Sequence, residues 1–112
     1  MNMSFNAANK TIPNDKIIDI RRPSEWYETG VLDGSHLITF EMSSGKINPV
    51  FEQEVAKIFN KDDEIVLMCR SGVRSKAAMK LLENAGYKNV SDIDGGVFNY
   101  TRLGAKLSEY KG

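Results

Sequence analysis

Cysteine is almost absent from the chain: Cys69 is the only thiol in 112 residues. One thiol excludes an intramolecular disulfide and a Cys-rich zinc site. Histidine is equally scarce. His36 stands alone, with no second ligand at metal-binding spacing, so no metal and no other cofactor is expected. Neither sign of charge is in excess, since fifteen Lys plus Arg balance fifteen Asp plus Glu. That balance argues against nucleic-acid binding by bulk charge and against a polybasic membrane binder. No apolar run approaches the ~18–20 residues that span a bilayer, so no membrane partner is expected. Met1 to Lys10 is polar and lacks the apolar stretch of a signal peptide. The expected compartment is the cytoplasm.

What remains is an ordinary globular composition, 41% hydrophobic and 27% charged, at the length of one small domain. Residues 1–10 read as a flexible leader with a short strand near Ser4–Phe5. Residues 11–109 form the domain, and 110–112 a frayed tail. Lys16–Ile20, His36–Phe40, Ile65–Met68 and Asn89–Ile93 read as strands. A first helix starts at Pro23 and stops at Gly30. A second is expected from Asn48 as N-cap and Pro49 as first helical position, with Phe51, Val55, Ile58 and Phe59 on one face. Ser75 to Ala85 reads as a third helix stopped by Gly86, and Val97 to Leu103 as a fourth. This alternation implies an α/β fold, a mostly parallel sheet with helices on both faces. The functional loops of such a sheet lie beyond its strand C-termini. Three candidate loops would share that edge: after Asp19, from Cys69 to Ser75, and around Gly95-Gly96.

The segment Cys69-Arg70-Ser71-Gly72-Val73-Arg74-Ser75 lies between a buried-strand signal and a helix signal. A tight turn there points successive backbone N–H groups into one concavity and makes an anion cradle. The helix start adds unpaired N–H groups and a positive dipole end. Gly72 permits unusual backbone angles, and Ser71 and Ser75 offer hydroxyls. From Ile65 to Leu82 there are four cations, Arg70, Arg74, Lys76 and Lys80, and no carboxylate. Such surroundings favour a thiolate, the working nucleophile, with no His needed as base.

These seven residues resemble the active-site loop of single-domain rhodaneses, a sulfurtransferase family. The resemblance runs from about Ile12 to Leu107. Ile18-Asp19-Ile20-Arg21 resembles the family's Asp-x-Arg segment, and Gly95-Gly96 its closing double glycine. Glu25 and Gly30 fall at the family's glutamate and at the glycine of its Gly-His-Ile-Pro-Gly-Ala turn. That turn here reads Gly30-Val31-Leu32-Asp33-Gly34-Ser35, and the Trp often found after the double glycine is replaced by Phe98 or Tyr100. Four residues separate Cys69 from Arg74, whereas phosphatases and arsenate reductases on related scaffolds use five.

The resemblance implies a rhodanese-like three-layer sandwich and a two-step chemistry. Cys69 takes the sulfane sulfur of a small anionic donor such as thiosulfate, held by the backbone N–H groups of residues 70–75. It then passes the sulfur to cyanide, a thiol or a protein acceptor. Arg70 varies across such domains and is expected to tune donor preference. A second reading is a non-enzymatic persulfide carrier or docking module. A phosphatase or arsenate reductase is a third, which the spacer disfavours. Asp19 either orients the cysteine loop through backbone N–H groups or caps the next helix. Arg21 and Glu25, four apart, are expected to pair as scaffold. His36 reads as a structural or surface residue, Trp26 and Tyr27 as packing residues of which one could line the pocket rim, and Lys76 and Lys80 as solvated charge, with steering of an anionic donor as the alternative.

Overall fold

The computed structural model describes residues 4–5 and 12–112. Apart from the strand Ser4–Phe5, the expected leader lies outside the described residues. Five strands form one sheet: β1 (Ser4–Phe5), β2 (Ile17–Asp19), β3 (His36–Leu37), β4 (Glu64–Met68) and β5 (Asn89–Ile93). Their order is β1-β5-β4-β2-β3, and every pairing is parallel. Between them lie α1 (Pro23–Thr29), α2 (Phe51–Ala56), α3 (Val73–Asn84) and α4 (Gly96–Arg102).

Side chains alternate across the sheet, which gives it two apolar faces. Ile18, Ile65, Leu67 and Val90 pack under Phe51 and Val55 of α2 and Ala78 and Leu82 of α3. Ile17, Val66, Met68 and Ile93 face the other way, against Val97 of α4 and Leu32. The expected sandwich, a parallel sheet covered on both faces, is the fold observed.

Several element boundaries differ from the sequence reading. The third strand is only His36–Leu37, although the Ile38 and Phe40 N–H groups go on bonding to the Asp19 and Ile20 carbonyls. Helix α2 begins at Phe51, not at Pro49. Asn48 instead closes the preceding turn, its Oδ1 accepting from the Val50 N–H at 3.2 Å. The same helix ends at Ala56, so Ile58 leaves the expected apolar face and is exposed. Helix α3 begins at Val73, because Gly72 takes a left-handed φ of 98° that lets the helix start at once. At the C-terminus, Ser108 pairs with Val31, and the Tyr110 ring sits edge-on to Trp26 and Tyr27.

Candidate functional site

Parallel strands bring the C-terminal ends of β2, β4 and β5 to one edge, and all three expected loops meet there. Cys69 follows β4 directly. It continues the alternation of Ile65 and Leu67, and so is buried on the α3 side of the sheet. The loop then reverses over Arg70, Ser71 and Gly72 into α3. The Gly72 N–H donates to Cys69 Sγ at 3.0 Å.

The third loop shapes this turn. The Val97 N–H donates to the Cys69 carbonyl at 2.7 Å, and the Phe98 N–H to the Arg70 carbonyl at 3.3 Å. Both donors belong to the first turn of α4, whose N–H groups have no partner within their own helix. A trans peptide sets its N–H opposite its carbonyl. With those two carbonyls turned to α4, the Arg70 and Ser71 N–H groups point away from it. Gly96 permits the close approach: a Cβ there would stand 2.7 Å from the Arg70 carbonyl group.

The four expected cations do not act as one positive island. Arg74 is engaged by Glu25 of α1, its Nη1 and Nη2 each 2.7 Å from a carboxylate oxygen. Hydrogen bonding to Glu25 raises the Arg74 pKa against the opposing effect of burial; the Glu25 charge, Cys69 and Glu41 raise it further. Burial pushes the Glu25 carboxyl up. The Arg74 hydrogen bonds, the Arg22 N–H and the Arg74 and Arg21 charges outweigh it and hold the group below its ordinary value. Lys76 Nζ lies 2.9 Å from Asp92 Oδ2 and 3.8 Å from Asp94. Arg70 remains at the lip, exposed, its guanidinium 5.0 Å from the Phe98 ring centre. Ser71 and Val73 are exposed beside it, whereas Ser75 is buried and donates to Asp92 Oδ2 at 2.6 Å.

Two expectations for the first loop are corrected. Arg21 pairs with Asp19 rather than Glu25. Asp19 Oδ1 accepts from Arg21 Nε at 2.9 Å and Oδ2 from Nη2 at 2.8 Å, with both side chains buried. Among the described residues, Asp19 makes no hydrogen bond to the cysteine loop and does not cap α1; its further bond is from the Arg21 N–H. The pair is a strut, because Arg21 Nη2 also donates to the Gly30 carbonyl at the end of α1. His36 has the expected structural role, with Nε2 2.9 Å from the Asp15 carbonyl and its ring edge-on to Phe59. The residue missed was Asp92. Its only sequence signal is its place two residues after Val90, on the same strand face, in a short strand that also carries Asn89 and Ser91.

The rhodanese-like domain profile matches residues 4–103. Rhodanese-like domain-containing protein 17 of Arabidopsis thaliana is 33% identical over 84 residues, covering 70% of this chain and 53% of that protein. The chain thus spans about half the length of that relative. Uncharacterized protein RP600 of Rickettsia prowazekii is 35% identical over 99 residues, covering 83% of this chain and 79% of that one. The crystal structure of Rv0390 from M. tuberculosis superposes with a TM-score of 0.75 at 18% identity, covering 98% of both chains. That last likeness is one of fold.

Proposed function

The chain belongs to the rhodanese-like domain family, and from that premise we propose that it is a sulfurtransferase working through Cys69. The Cys69 thiolate attacks the outer sulfur of a small anionic donor such as thiosulfate. The donor's S–S bond breaks, a Cys69 S–S bond forms, and sulfite leaves with the bonding electron pair. Cys69 then carries a persulfide. A nucleophilic acceptor, cyanide or a small or protein-borne thiol, attacks the terminal sulfur and restores the thiolate.

The observation that carries this reading is the Gly72 N–H on Cys69 Sγ, in a loop whose carbonyls are tied back to α4. N–H donors fixed beforehand stabilise negative charge on the sulfur without reorganising during the reaction. In this reading the N–H groups of residues 70–75 receive the added sulfur. Arg70 attracts the donor, Arg74 and Ser75 hold the loop in shape, and Asp19 with Arg21 braces the scaffold behind it.

A persulfide carrier delivering sulfur to a partner is the second reading. It is supported by the relative of which this chain spans about half, where such a domain sits in a longer protein. Intact mass spectrometry after incubation with thiosulfate tests the chemistry common to both. The wild type is expected to gain one sulfur atom and to lose it to cyanide, and Cys69→Ser to gain none while remaining folded. Sulfur transfer by Cys69→Ser at the wild-type rate overturns the assignment. So does hydrolysis of aryl phosphates by the wild type faster than its consumption of thiosulfate. Catalytic turnover with small acceptors separates the enzyme from the carrier.

A further inference from the structure

Asp92 is fully buried in β5, opposite Leu67 of β4. Its neighbours Val90 and Leu67 belong to the apolar core on the α3 side. A carboxylate is costly there unless it is paired and hydrogen-bonded. Both needs are met from the first turn of α3. Ser75 Oγ donates to Oδ2 at 2.6 Å, and Lys76 Nζ lies 3.0 Å from Oδ1. The sulfur chemistry itself uses no carboxylate.

Helix α3 has no acidic residue in its first turn, and its N-cap, Gly72, has no side chain to cap with. A conventional cap would occupy the amides that face the sulfur. Asp92 supplies the negative partner from behind, through the Ser75 hydroxyl. The one Ser75 hydroxyl proton is shared, with the Gly72 carbonyl as its second, longer acceptor at 3.1 Å, and Gly72 is the residue whose N–H reaches Cys69 Sγ. One chain of contacts therefore runs Asp92, Ser75, Gly72, Cys69.

We propose that Asp92 is the positioning residue of the sulfur site, holding Ser75 and through it the Gly72 amide against Cys69. The proposal rests on the reading of Cys69 as nucleophile, but its test does not need the donor to be right.

The sign of the effect separates positioning from charge. Among the described residues, the charged groups facing Asp92 include Lys76 and, beyond it, Asp94; Arg74, paired with Glu25, acts on Cys69, and Arg70 is exposed beside it. A negative charge alone disfavours the thiolate, so its removal would speed alkylation. Loss of positioning slows it. Alkylation by iodoacetamide, a neutral probe, is followed against pH for wild type, Asp92→Asn, Asp92→Ala and Ser75→Ala. Asp92→Asn keeps an acceptor for Ser75 and is expected to stay within about twofold of wild type. Asp92→Ala and Ser75→Ala are each expected to be about tenfold slower at neutral pH, with profiles moved to higher pH. The double variant is expected to be no slower than either single one. Asp92→Ala alkylated as fast as wild type or faster, or losses that multiply in the double variant, overturn the proposal. If Asp92→Ala does not fold, Ser75→Ala decides alone: a folded Ser75→Ala alkylated at the wild-type rate overturns it. Failure of thiosulfate to load the wild type, with this alkylation pattern intact, removes the donor and leaves the positioning role.

Discussion

Arg74 and Glu25 stand forty-nine residues apart in sequence and meet as a two-pronged ion pair, both arms 2.7 Å long. The pair ties the first turn of α3, directly after the cysteine loop, to the start of α1. Its side chains are only 16% and 15% exposed, so neither is freely solvated once the other is removed. A cost between that of surface and buried pairs follows, about 1–3 kcal/mol for Arg74→Ala or Glu25→Gln. Arg74→Lys keeps the charge but loses the planar fork and is expected to recover less than half of it. Urea midpoints of the three variants and of the double variant check this. Additive losses in Arg74→Ala/Glu25→Gln would show that the pair is not coupled.

The same pair gives a pH dependence with a definite sign. Glu25 is held below its ordinary value of 4.5 in the folded chain. A carboxyl depressed by folding adds stability that is fully present above its unfolded value and fades as pH falls through the folded one. The stability gap between wild type and Glu25→Gln is therefore expected to be constant from neutral pH down to about pH 5. It closes below the ordinary carboxylate value of 4.5. Urea unfolding of both proteins across this range measures it. A gap that widens toward acid contradicts the pairing.

Local patterns carried the elements with strong end signals. Asn89–Ile93 and the Pro23 start of α1 are where the sequence places them, because a short strand segment held between Gly86 and the Gly95-Gly96 turn and a Pro at the first helical position act over a few residues. The cysteine loop was legible for the same reason. What failed were the charge partners. Arg21 and Glu25 stand four apart, but α1 begins at Pro23, so they share no helix face. Arg21 instead folds back onto Asp19, and Glu25 is left for a residue forty-nine positions away. Asp92 is not legible locally because its partners, Ser75 and Lys76, lie in a helix that only the sheet order brings above it.

Gly96 bears a geometric requirement that can be tested by one methyl group. Its φ is 62°, and a Cβ would press on the Cys69 carbonyl oxygen and stand 2.7 Å from the Arg70 carbonyl atoms. Those neighbours are backbone and have little freedom to yield. Gly96→Ala must therefore push α4 away from the loop and break the Val97 and Phe98 bonds that turn its carbonyls outward. A loss of about 1–3 kcal/mol in stability is expected from the strained φ and the lost bonds. Sulfur loading is expected to fall by more than about tenfold, since reoriented N–H groups no longer face the sulfur. Gly104→Ala, whose Cβ would meet nothing within 4 Å, is the control for backbone strain alone. Equal loading by the two variants would show that the close approach at Gly96 is not needed.

In the proposed sulfur transfer, attraction of the donor is assigned to Arg70, because Arg74 is already neutralised by Glu25 and Lys76 by Asp92 and Asp94, and Lys80 stands a further turn along α3. Arg70 is exposed next to the thiol, and Phe98 underlies its guanidinium at 5.0 Å, a contact worth about 0.5–1 kcal/mol at an exposed site. The ring limits where the charge can go without satisfying it, which leaves its Coulomb attraction available to an anion. Arg70→Ala is therefore expected to raise KM for thiosulfate by about three- to tenfold, with a smaller change in kcat. An uncharged donor such as a dialkyl trisulfide lacks the charge that Arg70 attracts, so its KM is expected to change by less than about twofold. Raising the ionic strength should weaken thiosulfate binding in the wild type and much less in Arg70→Ala, because salt screens an exposed charge. Phe98→Ala frees the guanidinium and is expected to give part of the Arg70→Ala loss while keeping the salt dependence. Steady-state kinetics with the two donors at low and high salt decide the matter. Equal losses for charged and uncharged donors in Arg70→Ala, or an unchanged salt response, would show that Arg70 acts on loop shape and not by its charge.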